Sequence, residues 1–405
     1  MTHLTIAATR VLRTLVVMAL LCGLTAAQTT VLTLTGGADN DASGSSVSGG
    51  VYGNADAIPD VAVGSPGHDG GLGASQGRAQ VFDGVTGTQI FSAIGTAAGD
   101  AFGSSVDLGG DVDGDGVNDV IVGAPLRDAG LGVEQGEVIV YSGATGLALH
   151  TIAGATAGDR FGSGVAIVGD LDTDGKAEFA VGASRFDGTA GADSGRLTIH
   201  SGDTGLAMFT VEGSTAGEFY GAAVAGVGDT DGDSKNDAGV GSPSFDGTAG
   251  ADCGRIAIVG GATGAEIRVV EGSQAGGEFG TGVGAAGDVD NDTRADVGGG
   301  APLFDGTAGM DSGRVRVISG RDGSILMTVE GTLASAQLGA AIDGGGDVNL
   351  DGFDDVIAGA PGFDGTAGSA TGRAVVLSGA DGTVLFSLEG AAANDGEGTG
   401  VAGVG

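Results

Sequence analysis

The stretch Asp111-Val112-Asp113-Gly114-Asp115-Gly116-Val117-Asn118-Asp119 places carboxylates at positions 1, 3, 5 and 9. On a tight turn, alternating carboxylates can bring their oxygens toward one point, where they repel unless a cation sits between them. Calcium suits such a set, because it takes 6–8 hard oxygen ligands with flexible geometry. The backbone carbonyl of Val117 at position 7 would add a ligand, and glycine at position 6 eases the turn. The stretch has no Glu at position 12 and strand-like flanks, which sets it apart from an EF-hand. The pattern recurs as Asp170, Asp172, Asp174, the carbonyl of Lys176 and Glu178. It continues as Asp229, Asp231, Asp233, Lys235 and Asp237, then as Asp288, Asp290, Asp292, Arg294 and Asp296. The last set is Asp347, Asn349, Asp351, Phe353 and Asp355, with one neutral ligand. An earlier version, Tyr52, Asn54, Asp56 and Asp60, lacks the acid at position 1 and is expected to bind weakly or not at all. About four or five calcium ions are expected, rather than magnesium with its tight octahedral shell. The bland alternative is a set of Asp-rich turns that bind no ion.

A repeat must position these loops. Asp111, Asp170, Asp229, Asp288 and Asp347 are spaced by 59 residues. Nine residues before each stands Phe102-Gly103, Phe161-Gly162, Tyr220-Gly221, Phe279-Gly280 or Leu338-Gly339. The register gives units 43–101, 102–160, 161–219, 220–278, 279–337 and 338–396, with a partial unit at 397–405. In the second unit, short apolar runs between Gly, Asp and Asn predict strands at Phe102 to Leu108, Asp119 to Gly123, Glu137 to Tyr141 and Ala148 to Ala153. Four short strands per unit predict an all-β propeller of four-stranded blades. A β-helix would use shorter repeats. Val31 to Gly36 matches a fourth strand, while 397–405 supplies only a first. The prediction is therefore a seven-blade ring whose last blade is incomplete, a C-terminally truncated propeller with exposed strand edges.

Composition agrees with a packed array. Of 405 residues, 88 are glycine and 6 proline, and 41% are hydrophobic, so the chain is neither collagen-like nor too polar to fold. A net charge of −36 argues against nucleic acid and anionic membrane as partners. Arg10 and Arg13 precede an apolar run from Leu15 to Leu24 and the small residues Thr25-Ala26-Ala27. Residues 1–27 thus read as a cleaved secretory signal and 28–405 as the mature propeller, secreted or at the cell surface. No membrane span is expected in the mature chain. Cys22 invites a lipidation reading, but Leu21 stands where a lipobox takes a small residue. Cys253 then remains as the single cysteine, in the slot of Ser194 and Ser312, and reads as a small-residue substitution.

Phe102-Gly103, the Asp111 to Asp119 loop and Gly123-Ala124-Pro125 together resemble the FG-GAP repeat family, the propeller unit of integrin α-subunit heads and many bacterial surface proteins. Gly300-Ala301-Pro302 and Gly359-Ala360-Pro361 match as well, and Gly64-Ser65-Pro66 and Gly241-Ser242-Pro243 are variants. The third unit departs, with Gly182-Ala183-Ser184. The resemblance covers about residue 30 to 405. It implies a seven-bladed propeller, calcium in the hairpin loops of one rim, and ligand recognition on the opposite face. The expected function is a non-enzymatic extracellular binding or adhesion module with structural calcium and an unidentified protein or polysaccharide partner. One alternative is a hydrolase or lyase on the same scaffold. Gly73-Ala74-Ser75-Gln76-Gly77 fits G-x-S-x-G for it, but lacks a strand-to-helix setting. His3, His68, His150 and His200 share no repeat position. Another alternative is a stalk or assembly segment of a larger surface protein. The near-identical loops at Phe186 to Gly191, Phe245 to Gly250, Phe304 to Gly309 and Phe363 to Gly368 fit shared folding constraints better than a repeated binding surface.

Overall fold

A computed structural model describes residues 41–53 and 58–403 in full, and the backbone alone at 3–8, 15–20 and 30–34. The repeat forms six antiparallel four-stranded sheets, each with its strands in chain order. The second blade is made of Ser105–Leu108, Val120–Ala124, Glu137–Tyr141 and Ala148–Ala153. The third is made of Phe161–Gly169, Glu178–Ala183, Arg196–His200 and Ala207–Glu212. Second strands such as Val120–Ala124 are buried throughout, because neighbouring blades cover both of their faces. Fourth strands such as Ala148–Ala153 form the half-exposed outer edge.

First strands surround an axial channel of about 440 Å³. Several are tied to the next blade by side chains. Asp107 Oδ2 accepts from the Ile167 N–H at 2.7 Å, Ser48 Oγ from Leu108 at 3.1 Å, and Asp343 Oδ2 from Gly403 at 3.0 Å.

The two glycines of the sequence signature meet across each blade junction. A Cβ on Gly64, Gly123, Gly182, Gly241, Gly300 or Gly359 would stand 1.9–2.2 Å from the carbonyl oxygen of Gly103, Gly162, Gly221, Gly280, Gly339 or Gly398, respectively. The second glycine of each pair has φ between 84° and 96°, a region that side chains rarely adopt. The signature is therefore a packing rule. One glycine lets the chain turn, and the other lets its carbonyl come close.

The expectation of seven blades with an incomplete last one is overturned. The repeat builds six blades, all complete. Gly400–Gly403 is not the stub of an unfinished blade, because it pairs antiparallel with His3–Ala8, with Thr5 opposite Gly403. His3–Ala8 pairs with Leu15–Leu20, and that strand with Thr30–Leu34, in one four-stranded sheet. Both chain ends supply this sheet, and its first two N-terminal strands lack the 59-residue register, so the repeat pattern marked only the outer strands, Thr30–Leu34 and Gly400–Gly403. Of the segment read as a secretory signal, only the backbone of His3–Ala8 and Leu15–Leu20 is described. Cys22 and the Thr25-Ala26-Ala27 cleavage motif lie outside the described residues. Among the described residues, no helix is long and apolar enough to cross a membrane.

Candidate metal centre

Each acidic loop joins the first and second strands of a blade, and backbone N–H groups shape it. The position-1 carboxylate caps the turn: Asp111 accepts from Gly114 and Gly116, each at 2.7 Å, and from Asp115 at 3.0 Å. Asp113 accepts from the Asp115 N–H at 3.1 Å, and Asp115 from Val117 at 2.9 Å. The bond from the position-6 N–H to the position-1 carboxylate recurs at Asp170, Asp229, Asp288 and Asp347. Neighbouring loops touch along the rim. The Ala177 N–H donates to Asp111 O at 2.7 Å, Ala295 N–H to Asp229 O at 3.0 Å, and Lys235 Nζ to Asp170 O at 3.2 Å.

Four clusters bring three carboxylates each to within 4.8 Å of one another: Asp111, Asp113 and Asp115; Asp170, Asp172 and Glu178; Asp229, Asp231 and Asp237; Asp288, Asp290 and Asp296. Three converging hard anionic oxygens fit a hard divalent cation. In the sixth unit, Asn349 Nδ2 donates to Asp351 Oδ2 at 2.9 Å, so the neutral ligand spends its amide on a neighbour. In the first unit Asn54 and Asp56 lie outside the described residues, and Tyr52 is buried against Phe91 with ring centroids 5.9 Å apart. The acid of position 1 has there been replaced by a core aromatic.

Position 9 has a second task that the sequence did not suggest. Asp119 is fully buried and accepts from the Val112 N–H at 2.7 Å and from Gly143 at 2.8 Å, tying the loop to the turn between third and fourth strands. Glu178, Asp237, Asp296 and Asp355 make the same pair of bonds, to Gly202, Gly261, Gly320 and Gly379 on the far side. Asp60 keeps both ties, to Tyr52 and Gly84, although its loop has lost the first acid. The available signal is a glycine 24 residues after every position-9 acid.

Burial, and then the nearby Asp113 and Asp111, push Asp119 up to about 6 against the pull of its two backbone donors. Asp296 is likewise pushed to about 6, chiefly by burial. A carboxyl raised in the folded state stabilises the fold below its unfolded pKa, and that contribution is lost as pH rises through the folded value. Metal-free protein is therefore expected to lose stability between about pH 4 and pH 6 from these two groups, and saturating calcium should flatten that slope. Thermal melts across this range, with and without calcium, check it.

Positions 4 and 6 are left-handed in every loop from the second to the sixth unit. Glycine fills both in the second unit, with Gly114 at φ 78° and Gly116 at 88°, whereas the fifth unit has Asn291 at 60° and Thr293 at 74°. A β-branched residue there is strained by about 1–3 kcal/mol. Thr293→Gly is expected to raise stability by about 1 kcal/mol after the entropy lost by glycine itself, as read by chemical denaturation.

Other site candidates resolve differently. Ser75 stands at φ 52° in the loop between second and third strands, its N–H held by Asp69 Oδ1 at 2.9 Å, and not at a strand-to-helix turn. The recurrent loops are occupied internally: Asp187 Oδ1 accepts from Asp193 N–H, and Thr189 donates to Glu212, with equivalents at Asp246, Thr248 and Glu271. Cys253 is buried with Sγ 3.5 Å from Phe245 O, matching Ser194 and Ser312 at 3.4 Å from their own Phe carbonyls.

Comparison with known proteins fits this geometry. The family model described as FG-GAP repeat matches residues 102–141, 161–200 and 338–377. Three of the six units thus match the FG-GAP repeat. Integrin alpha-4 from Xenopus laevis is 30% identical over 163 residues, 38% of this chain and 16% of that protein. The chain thus spans a small part of this relative. A chain from the crystal structure of a mitotic checkpoint complex superposes with a TM-score of 0.50 at 12% identity, covering 84% of this chain and 79% of that one. That likeness is one of fold alone. The FG-GAP signature maps onto the glycine contacts at each blade junction and onto the acidic loops between them.

Proposed function

We propose that this chain is an exported, non-enzymatic binding module of the extracellular space or cell surface, in which calcium in the acidic loops is structural. The observation that carries the metal half is the recurrence of three converging carboxylates in four loops in one register. The FG-GAP repeats and the integrin relative support a role in recognition rather than catalysis. Calcium would clamp the first and second strands of each blade, and through position 9 the turn beyond them. The partner is an extracellular protein or polysaccharide, met on the rim opposite the loops. Calorimetric titration of metal-free protein is expected to count four calcium sites, with a weaker fifth at Asp347 to Asp355. A count of none or one would sink the reading. Immobilised extracellular-matrix proteins and polysaccharides, screened in calcium, are expected to give at least one saturable partner, and turnover of any of them without retention would favour the enzyme instead.

A further inference from the structure

The second and third blades meet through two histidines that the acidic loops do not use. His200 ends a third strand, where the other blades have Phe82, Tyr141, Val259, Ile318 and Leu377. His150 lies in a fourth strand, where they have Phe91, Phe209, Arg268, Met327 and Phe386. Two slots that are mostly apolar thus hold imidazoles at the same junction. Both stack on Phe179, with centroids 5.3 Å apart for His200 and 5.9 Å for His150. Phe161 meets His200 edge-on at 5.9 Å. His200 is only 6% exposed. Its Nδ1 lies 2.9 Å from Gly205 O, which fixes the proton of the neutral ring there. Its Nε2 is buried with no hydrogen-bond partner among the described residues. His150 Nε2 lies 2.6 Å from Gly202 O and so joins the two blades. A crevice of about 200 Å³ adjoins His200, lined also by Ile152, Phe161, Arg196, Thr198 and Thr210.

We propose that His200 and His150 form an acid-sensitive latch, which holds the second and third blades together when neutral and releases that junction when His200 takes a proton on Nε2. The proton would create a donor with no acceptor inside an apolar slot. Arg196 on its own strand and His150 from the second blade face His200, and both oppose a positive charge. Phe161 and Phe179 contribute only rings. Of the nearby carboxylates, Asp203 is paired with Lys176, and Glu178 accepts from the Leu171 and Gly202 N–H groups. Burial, reinforced by Arg196 and His150 and opposed by the Gly205 carbonyl, holds the His200 pKa below 6.5. The contribution to stability is therefore complete above pH 6.5 and lost as pH falls through the folded value. The crevice gives the displaced ring room to move, which keeps the opening local.

The test is amide hydrogen exchange of the calcium-saturated full chain at pH 7.5 and 5.5, corrected for intrinsic rates. Protection in 137–153 and 178–200 is expected to fall severalfold, up to about tenfold, while the fifth and sixth blades stay unchanged. His200→Phe, which copies Phe82, should abolish the loss. The same loss in His200→Phe, or no selective loss in the wild type, overturns the latch. Should that variant not fold, an NMR titration of His200 in the wild type decides, and a midpoint at or above 6.5 overturns it. Acid-driven metal loss would loosen every blade with an acidic loop, so the failure of the calcium reading would look different.

Discussion

Chelation of calcium is expected to lower the melting temperature by about 15 °C. At free calcium a hundredfold above Kd, each site contributes about 2.7 kcal/mol, so four independent sites contribute about 11 kcal/mol. That is comparable to the whole stability of an ordinary domain. Spread over the unfolding entropy of a chain this long, each kcal/mol moves the midpoint by a little over 1 °C. Magnesium should restore little of the shift, because the loops offer few places for its retained waters. A shift under about 2 °C would leave the loops as acidic turns and nothing more.

A single charge gives a sharper test of the same claim, because the sign of its effect should invert. Asp290 is raised by burial and then by Asp292 and Asp288, and its own carboxylate accepts the Asp292 N–H at 3.2 Å. Asp290→Asn keeps an acceptor for that bond and removes one charge from the cluster. Without metal it should stabilise by relieving repulsion, and in calcium it should destabilise by losing a ligand. The same sign under both conditions would mean that no ion occupies the fifth-unit loop.

How far the sequence could be read depends on what kept its register. The four strands of the second unit lie close to their expected places, except that the first opens at Ser105 rather than Phe102. The third blade has the same features, a Phe161 N–H bonded to Gln135 O and Gly162 at φ 90°, yet its first strand opens at Phe161, so the shorter strand has no explanation in these contacts. The sheet formed by Gly400–Gly403 was legible only at its outer strands, Gly400–Gly403 and Thr30–Leu34, since neither His3–Ala8 nor Leu15–Leu20 repeats anything. Position 9 looked like one more ligand because sequence spacing does not show a bond to a turn 24 residues away. His150 and His200 looked unrelated for the same reason. Aligning the six units column by column would have shown both as polar substitutions in slots that mostly hold apolar side chains.

Breaking the buried ion pair between the third and fourth blades should be the most costly single substitution. Arg255 and Glu218 are 5% and 0% exposed, joined by Nε to Oε2 at 3.1 Å and Nη2 to Oε1 at 3.2 Å. Tyr220 and Phe245 face the guanidinium at 5.4 and 4.9 Å, so little water can replace a missing partner. Arg255→Met would leave the buried Glu218 without its counter-charge, held only by the Ser214 and Thr215 N–H groups on Oε1, and is expected to lose about 3–5 kcal/mol. Glu218→Ala leaves Arg255 a more distant partner, Glu266 at 3.7 Å, and should lose less. Joining the two changes removes both charges, and the loss should be far smaller than the sum of the singles. The fourth and fifth units already place Gly277 and Ala336 where Glu218 stands, so the repeat tolerates a junction without the acid. Additive losses in the double variant, measured by chemical denaturation in saturating calcium, would show that Arg255 acts through its packing on the two rings and that the charge pair adds nothing.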